Sequence, residues 1–159
     1  AIYGMIVAQA REPLFYQALG VPDTVNGRFD MVLLHLWIVL RQLKPADGEG
    51  VSQALFDHFC SDMDANLREM GVGDLTVPKR MQAFGEAFYG RSSAYDRAIA
   101  SGPEPMAQAL NKNIYGGQNM ECARRLAAYT SDAIGVLAGS DEAALVAGKL
   151  RFPSPLALT

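Results

Sequence analysis

The sequence predicts an all-α protein in which about seven helices form one compact domain around a central apolar helix. Apolar residues recur at helical spacing in two neighbouring stretches, 55–70 and 77–99. A third stretch, 31–40, is apolar at every position except one histidine. Its ten residues are about half of the roughly 20 that a membrane-spanning helix needs, so we predict a buried helix there. No stretch predicts a strand.

The predicted helices follow one another with short turns between them. They span about residues 1–11, 13–19, 28–44, 51–70, 77–100, 104–114 and 119–138, Ser140 caps a last short helix, and Phe152–Pro155 forms a tail. Gly20–Gly27 is predicted to be a loop with a turn at Asn26–Gly27, and Pro45 closes the central helix. The helix over 77–100 is expected to bend or break near Gly85 or Gly90.

The composition is typical of a folded globular protein. Of the 159 residues, 50% are hydrophobic and 19% charged, which is enough for one domain over 1–159, and no repeat or long linker divides the chain. The net charge of −3 gives no basic surplus for neutralising phosphates, so we expect no nucleic-acid specificity. Cys60 and Cys122 lie in helical patterns and form no disulfide framework, which favours a reducing compartment. No signal or transit peptide is recognisable.

The stretch 51–70 predicts the first arm of a helical hairpin. Its apolar residues fall within one arc of about 140° at 100° per residue, while Asp57, Asp64 and Arg68 lie on the opposite side. The members of this arc are Leu55, Phe56, Phe59, Cys60, Met63, Leu67 and Met70. Gly71 follows as a left-handed helix cap, with Val72 as its apolar contact. The first arm is therefore predicted to end at about Met70.

The stretch 77–100 predicts the second arm. Thr76 is a candidate N-cap, and Pro78 lies in the first turn, where its missing N–H costs little. Charge differs between the arms: five acids accompany Arg68 alone from residue 57 to 74, whereas four bases face two acids from residue 79 to 97. Such a pattern either fixes the arms against each other or presents two differently charged strips to partners.

The sequence contains no recognisable catalytic, metal or cofactor signature. A di-iron bundle needs two Glu-x-x-His pairs, but Val32 and Leu55 stand three residues before the two histidines. There is no Cys-x-x-Cys, no His-Glu-x-x-His and no phosphate-binding loop, and neither cysteine has a neighbouring histidine. We therefore expect no catalytic residue, no metal and no cofactor.

Several polar residues have both a functional and a structural interpretation. Asp57 and Asp64 share a face but lie about 10 Å apart along the helix, too far to share a proton, and a solvated helix face explains them. The same distance argues against paired-carboxylate catalysis by Asp57 and Asp64. Asp64 and Arg68, one helical turn apart, are expected to form a modest exposed ion pair. His58 and Asp62 are one turn apart, but two metal ligands without a third make a weak site.

His35 and Arg91 are the polar residues expected near the core. His35 invites comparison with a haem ligand, but a neutral core histidine bonded to a carbonyl is commoner in such a setting. Arg91 projects beside the apolar face of the second arm and should need a carboxylate partner, for which Asp62 and Asp74 are the candidates. Its role is either to hold the hairpin together or to bind a partner.

Seven motifs, in order along most of the chain, support a resemblance to a known family. These motifs are Ile6–Arg11, Gly20–Thr24, Gly27–Asp30, Phe59–Asp64, Leu67–Asp74, Val77–Met81 and Phe88–Arg91. The chain resembles the ubiquinol-cytochrome c chaperone family, the bacterial and mitochondrial relatives of the factor that helps to assemble cytochrome b into respiratory complex III. The resemblance implies an all-helical domain without enzymatic activity. In mitochondrial members it also implies binding of newly made cytochrome b, with a small partner protein, near the ribosomal exit.

The leading hypothesis is an assembly factor that holds newly made cytochrome b. We expect it at the inner face of a bacterial inner membrane, or on the matrix side in a mitochondrion, with peripheral membrane contact. The predicted partner-binding residues are Asp57, Asp62, Asp64, Asp74, Lys79, Arg80, Phe88, Tyr89, Arg91 and Tyr95. The acidic ones would meet the positive loops that membrane proteins keep on the side of synthesis. A helical adaptor with another client, and a haem-binding or small-molecule-binding protein, remain the alternatives.

Overall fold

The structure is a computed structural model that describes residues 2–47, 50–139 and 152–155. Within these ranges it contains seven helices and no strand, which confirms the predicted all-α class. The helices are α1 (Ile2–Ala10), α2 (Pro13–Gln17), α3 (Val25–Asp47), α4 (Gly50–Glu69), α5 (Val77–Ser101), α6 (Pro103–Ile114) and α7 (Met120–Ala138). The short helix predicted from Ser140 lies outside the described residues. Phe152–Pro155 lies against the bundle, with Pro155 buried.

The central helix α3 begins earlier than the sequence predicted. Thr24 caps it: the backbone N–H of Gly27 donates to the Thr24 hydroxyl at 3.0 Å, and that of Arg28 donates to the Thr24 carbonyl at 2.9 Å. The predicted turn at Asn26–Gly27 is therefore wrong, because both residues lie in the first helical turn. A Cβ atom on Gly27 would lie 1.9 Å from the Pro22 carbonyl oxygen, so this close approach requires glycine. At its other end α3 continues through Pro45 to Asp47.

The core surrounds α3, which contacts α1, α4, α6 and α7. Residues 33–40 are all buried, and α3 is therefore the central apolar helix that the sequence predicted. Among the described helices, the most extensive pair is α6 with α7. Asn119 caps α7, since its side chain accepts from the Cys122 N–H at 3.2 Å. Tyr115 bonds the Leu19 carbonyl at 2.7 Å and thereby ties α6 to the segment before α3.

His35 is the neutral core histidine that the sequence predicted. Its Nδ1 lies 2.8 Å from the Met31 carbonyl oxygen and its Nε2 lies 2.8 Å from the Tyr129 hydroxyl. Because a carbonyl only accepts, Nδ1 carries the proton and Nε2 accepts from Tyr129. Burial lowers the pKa of His35 to about 4, which keeps the ring neutral. Both ring nitrogens are engaged, so neither is left for a haem iron.

The turn between α4 and α5 forms as the sequence predicted. Gly71 has φ +85°, its N–H donates to the Arg68 carbonyl, and the Val72 N–H donates to the Leu67 carbonyl, both at 3.1 Å. These two bonds are the signature of a Schellman cap. Thr76 precedes α5, but its side chain makes no cap hydrogen bond. The break considered for α5 does not occur, since the helix runs continuously over 25 residues through its two internal glycines.

Candidate functional site

The residues predicted to bind a partner lie on a helical hairpin, which we define as α4, the corner 70–76 and α5. Its tip lies apart from the main core: Leu67 and Val77 are buried at 4% and 1% exposure, yet neither belongs to the central cluster around α3. Among the predicted site residues, five are exposed, three are half-buried and two are buried. In that order they are Asp57, Asp74, Lys79, Arg80 and Tyr89; Asp62, Asp64 and Arg91; Phe88 and Tyr95.

The acidic residues of the hairpin have different local partners. Arg68 contacts Asp64 at 2.6 Å and also pairs with Asp74, which confirms the predicted Asp64–Arg68 ion pair. Asp62 accepts a hydrogen bond of 2.7 Å from the Tyr3 hydroxyl of α1. Among the described residues, the partner of Asp57 is a neutral group, the Gln53 side chain at 2.9 Å. The acidic strip is therefore ion-paired at the corner, whereas the exposed Asp57 forms no ion pair with a described residue.

Arg91 pairs with Asp30 of α3, which corrects the prediction that Asp62 or Asp74 would be its partner. Asp62 is instead bonded to Tyr3, and Asp74 to Arg68. Burial raises the pKa of Asp30, and the nearby Arg91 only partly opposes this effect. The signal that could have found this pair was Asp30 itself, the one acidic residue in the apolar first half of the central helix.

The aromatic residues of α5 divide into a buried and an exposed set. Phe88 packs on Phe56 with ring centroids 5.2 Å apart, and Tyr95 packs on Trp37 at 5.3 Å. In this structure both are interior residues that set the angle of α5 on the bundle. Tyr89 is 65% exposed and is the aromatic side chain of α5 that faces solvent.

An exposed apolar surface lies at the tip of the hairpin. Leu75 is 91% exposed and Met70 is 65% exposed, although Met70 was predicted to lie in the apolar arc of the first arm. The difference arises because α4 ends at Glu69, so Met70 passes into the corner beyond the packed turn. Leu75 was missed in the sequence because a single apolar residue in a turn has no periodicity. Exposed large apolar side chains clustered at one place are typical of interaction sites.

A groove of about 710 Å³ lies between α4 and α5 next to this tip. Its lining residues are Cys60, Ser61, Asp64, Ala65, Arg68, Val77, Pro78 and Met81. Apolar side chains thus lie beside the ion pair of Arg68 with Asp64. On the α5 side, Lys79 and Arg80 are exposed and form no ion pair with any residue that the structure describes. The hairpin therefore presents apolar, acidic and basic groups within one continuous region.

The described part of the chain holds no cluster of three or more potential metal ligands. The His58 ring packs on Tyr3 with centroids 4.8 Å apart, and Asp62 is bonded to the same tyrosine. Both cysteines are free and half-buried. In the ranges that the structure covers, none of the helices combines the length and the apolar character that crossing a bilayer would require.

The chain has an all-helical fold, and a crystal structure with a similar fold is known. The crystal structure of the Cbp3 homolog from Brucella abortus superposes with a TM-score of 0.83 and is 37% identical, covering 97% of this chain and 87% of that one. The sequence profile of the ubiquinol-cytochrome C chaperone family matches residues 17–152. This chain belongs to that family.

Two relatives show how the similarity is distributed. The ubiquinol-cytochrome-c reductase complex assembly factor 1 of Xenopus laevis is 27% identical over 106 residues, which are 65% of this chain and 53% of that protein. The mitochondrial protein CBP3 of Saccharomyces cerevisiae is 26% identical over 149 residues, which are 89% of this chain and 44% of that protein. The chain thus spans about half the length of these relatives.

Proposed function

We propose that this protein is a non-enzymatic chaperone that supports assembly of the ubiquinol-cytochrome c reductase complex by binding newly made cytochrome b. The observation that carries the proposal is the hairpin tip, where Leu75 and Met70 are exposed at 91% and 65% beside the groove between α4 and α5. Family membership and the names of the two relatives support the role in assembly.

The client explains why an assembly factor would expose apolar side chains. A newly made membrane protein carries apolar segments that must be shielded from water and from one another. A side chain such as Leu75 costs little in stability to expose and gains free energy when a client covers it. The groove next to the tip offers the exposed Pro78 and the half-buried Met81 as further apolar contacts.

The charges on the two helices fit different partners. Cytoplasmic loops of membrane proteins carry an excess of lysine and arginine, which the exposed carboxylate of Asp57 and the half-buried Asp64 would attract. Lys79 and Arg80 would contact an acidic partner, such as a small partner chaperone or the ribosomal exit region. We propose that the protein acts on the side of the membrane where cytochrome b is made, in peripheral contact with that membrane.

Site-specific photo-crosslinking tests the proposed client and the proposed surface together. A photoreactive amino acid is placed at Leu75 or Tyr89, and a matched control carries it at exposed Gln108 on α6. We expect a crosslink to epitope-tagged cytochrome b from the two hairpin positions and none from Gln108. Crosslinks from all three positions, or crosslinks only to another membrane protein, would contradict the proposal, and the second result would identify a different client.

Charge reversal tests the electrostatic part separately. Asp57→Lys removes an exposed acid whose one described partner is Gln53, so the hairpin should fold unchanged. We expect weaker co-purification of cytochrome b and a lower cytochrome b level in cells, because a positive charge then faces the positive loops of the client. Gln108→Lys adds a positive charge on α6 and serves as the control. Equal co-purification in both variants and the parent would remove the electrostatic argument.

A further inference from the structure

A polar cavity, separate from the groove between α4 and α5, lies at the corner where α1, α2 and the loop before α3 meet. Its volume is about 310 Å³, and none of its lining residues belongs to α4 or α5. These residues are Arg11, Pro13, Tyr16, Gln17, Asp23 and Arg28. Two arginines therefore face one small cavity in a protein whose net charge is −3.

Local hydrogen bonds fix the walls of this cavity. The turn after α1 is closed by the Arg11 N–H, which donates to the Val7 carbonyl at 3.0 Å. The Tyr16 hydroxyl donates to the Ala10 carbonyl at 2.9 Å and holds its ring at the cavity wall. On the opposite side Arg28 leaves the first turn of α3, and its Nε contacts the Asp23 carboxylate at 2.8 Å.

The charges in the cavity are not balanced. Arg11 forms no ion pair with any described residue. Arg28 bonds Asp23 through Nε alone, so neither of its two Nη groups bonds a described residue. The pKa of Tyr16 is raised by burial and by Asp23, and both arginines oppose this shift, so both guanidinium groups lie within electrostatic reach of the same hydroxyl. Two cations and one anion leave a single positive charge.

Packing does not explain these charged residues. Gly27 and Asp30 have clear structural roles, the first against Pro22 and the second with Arg91. The side chains of Arg28 and Asp23 are instead 61% and 59% exposed, and a surface ion pair of this kind contributes little to stability.

We propose that this cavity binds a single carboxylate group, presented by the side chain of an acidic residue of a partner protein. A guanidinium group offers two parallel N–H donors that match the two oxygens of a carboxylate. The one net positive charge suits a monoanion, whereas a phosphate dianion would meet repulsion from Asp23. Pro13 and the Tyr16 ring provide an apolar wall for the carbon chain that bears the carboxylate. The site is separate from the hairpin and does not depend on the client proposed above.

The proposal is tested by NMR titration of the 159-residue chain at constant ionic strength, following the Nε–H resonances of Arg11 and Arg28. The four probes are acetyl-Ala-Glu-Ala-amide, its glutamine counterpart, sodium acetate and inorganic phosphate. We expect saturable shifts with the glutamate peptide, weaker binding of acetate, and no saturation with the glutamine peptide. Acetate binding as tightly as the peptide would contradict a partner protein as the source and would indicate a free small carboxylate. Tighter binding of phosphate, or no saturation with either carboxylate, would overturn the proposal.

Three variants separate binding from a merely structural effect. Arg28→Gln is expected to weaken binding of the glutamate peptide about tenfold, which is the effect of losing one charge-assisted contact. Arg97→Gln removes an exposed arginine of α5 and should leave binding unchanged. Asp23→Asn removes the ion pair of Arg28 and makes the cavity more positive, so the glutamate peptide should bind severalfold more tightly. A loss of folding cannot produce that gain, and unchanged or weaker binding in Asp23→Asn would contradict the proposal.

Discussion

The bundle around α3 and the tip of the hairpin differ in how far their polar and apolar side chains are buried. In the bundle, the buried His35 and Tyr129 bond each other, and Gln9 donates to both the Tyr129 hydroxyl at 3.1 Å and the Pro153 carbonyl at 3.3 Å. At the tip, the ion pairs of Arg68 are exposed and Leu75 is 91% exposed. The His35 network is buried and satisfied within the bundle, whereas the charged and apolar groups of the tip are exposed to solvent.

This difference indicates where stability and binding reside. A buried polar network that is fully satisfied specifies one arrangement of the helices, and it is costly to break. An exposed ion pair contributes little, and an exposed leucine contributes nothing to the core. The bundle therefore holds the hairpin in place, and substitutions at the tip should change binding with little effect on folding. The predictions below test this division, beginning with the ion pair that joins α5 to the bundle.

Replacing Arg91 should have the largest effect, because Arg91 joins α5 of the hairpin to Asp30 of the bundle. Arg91→Met leaves the Asp30 carboxylate buried and unpaired, and we expect a loss of about 3–5 kcal/mol in the free energy of unfolding at pH 7. Burial already raises the pKa of Asp30, and loss of the arginine raises it further. The protonated form is then favoured in the folded state, so the deficit should shrink as the pH falls. Urea unfolding at pH 7 and pH 4.5 measures both effects.

A double variant provides the control for this prediction. Asp30→Leu combined with Arg91→Met removes both charges, and it should be more stable at pH 7 than Arg91→Met alone, because no unpaired charge remains. It should also lose the part of the pH dependence of its own unfolding that comes from Asp30. A single variant that unfolds like the parent would show that this ion pair does not hold α5 on the bundle.

Acid should weaken the bundle through His35. Its folded pKa of about 4 lies below the ordinary value of 6.5, so the unfolded chain binds the proton first as the pH falls. The contribution of His35 to stability is therefore complete above pH 6.5 and is lost between pH 6.5 and 4, amounting to about 3 kcal/mol. His35→Gln should remove this part of the pH dependence of urea unfolding, and His58→Gln, at an exposed site, should retain it. An unchanged slope in His35→Gln would refute the assignment.

The sequence was sufficient for features that depend on local chemistry. The helical periodicity predicted each helix of the described chain, and the order of Met70, Gly71 and Val72 predicted the cap that the structure shows. The start of α3 was missed, because the Asn-Gly pair is typical of a turn and Thr24 was not recognised as a cap. A turn pair has little influence once a hydroxyl upstream satisfies the free N–H groups.

Contacts between distant residues were less predictable. The partner of Arg91 is 61 residues away in sequence, and the choice among three acids depends on how α3 and α5 cross. The same reason hid the bond between Tyr3 and Asp62, which are 59 residues apart. The sequence placed the hairpin correctly as an element. It could not show which of its side chains would be used by the bundle and which would remain exposed.

Gly71→Ala should have an intermediate effect confined to the corner. The position has φ +85°, and an added Cβ would meet no atom within 4 Å, so the cost is conformational and amounts to about 1–2 kcal/mol. Gly4→Ala, inside α1 with the same free space and no positive φ, should be neutral or slightly stabilising. Urea unfolding compares the two variants. Equal free energies of unfolding would show that the left-handed conformation at Gly71 does not contribute to the stability of the hairpin.

Leu75→Ser should have the smallest effect on folding and a large effect on binding. Because the side chain is 91% exposed, its replacement should change the free energy of unfolding by no more than about 0.5 kcal/mol. Val25→Ser, at a residue that is 70% exposed at the start of α3, is the matched control and should be equally mild. Co-purification of cytochrome b should fall in Leu75→Ser and remain at the parent level in Val25→Ser. A parallel fall in both variants would mean that exposed apolar area in general holds the client, and the division between bundle and tip would then not describe how this protein binds.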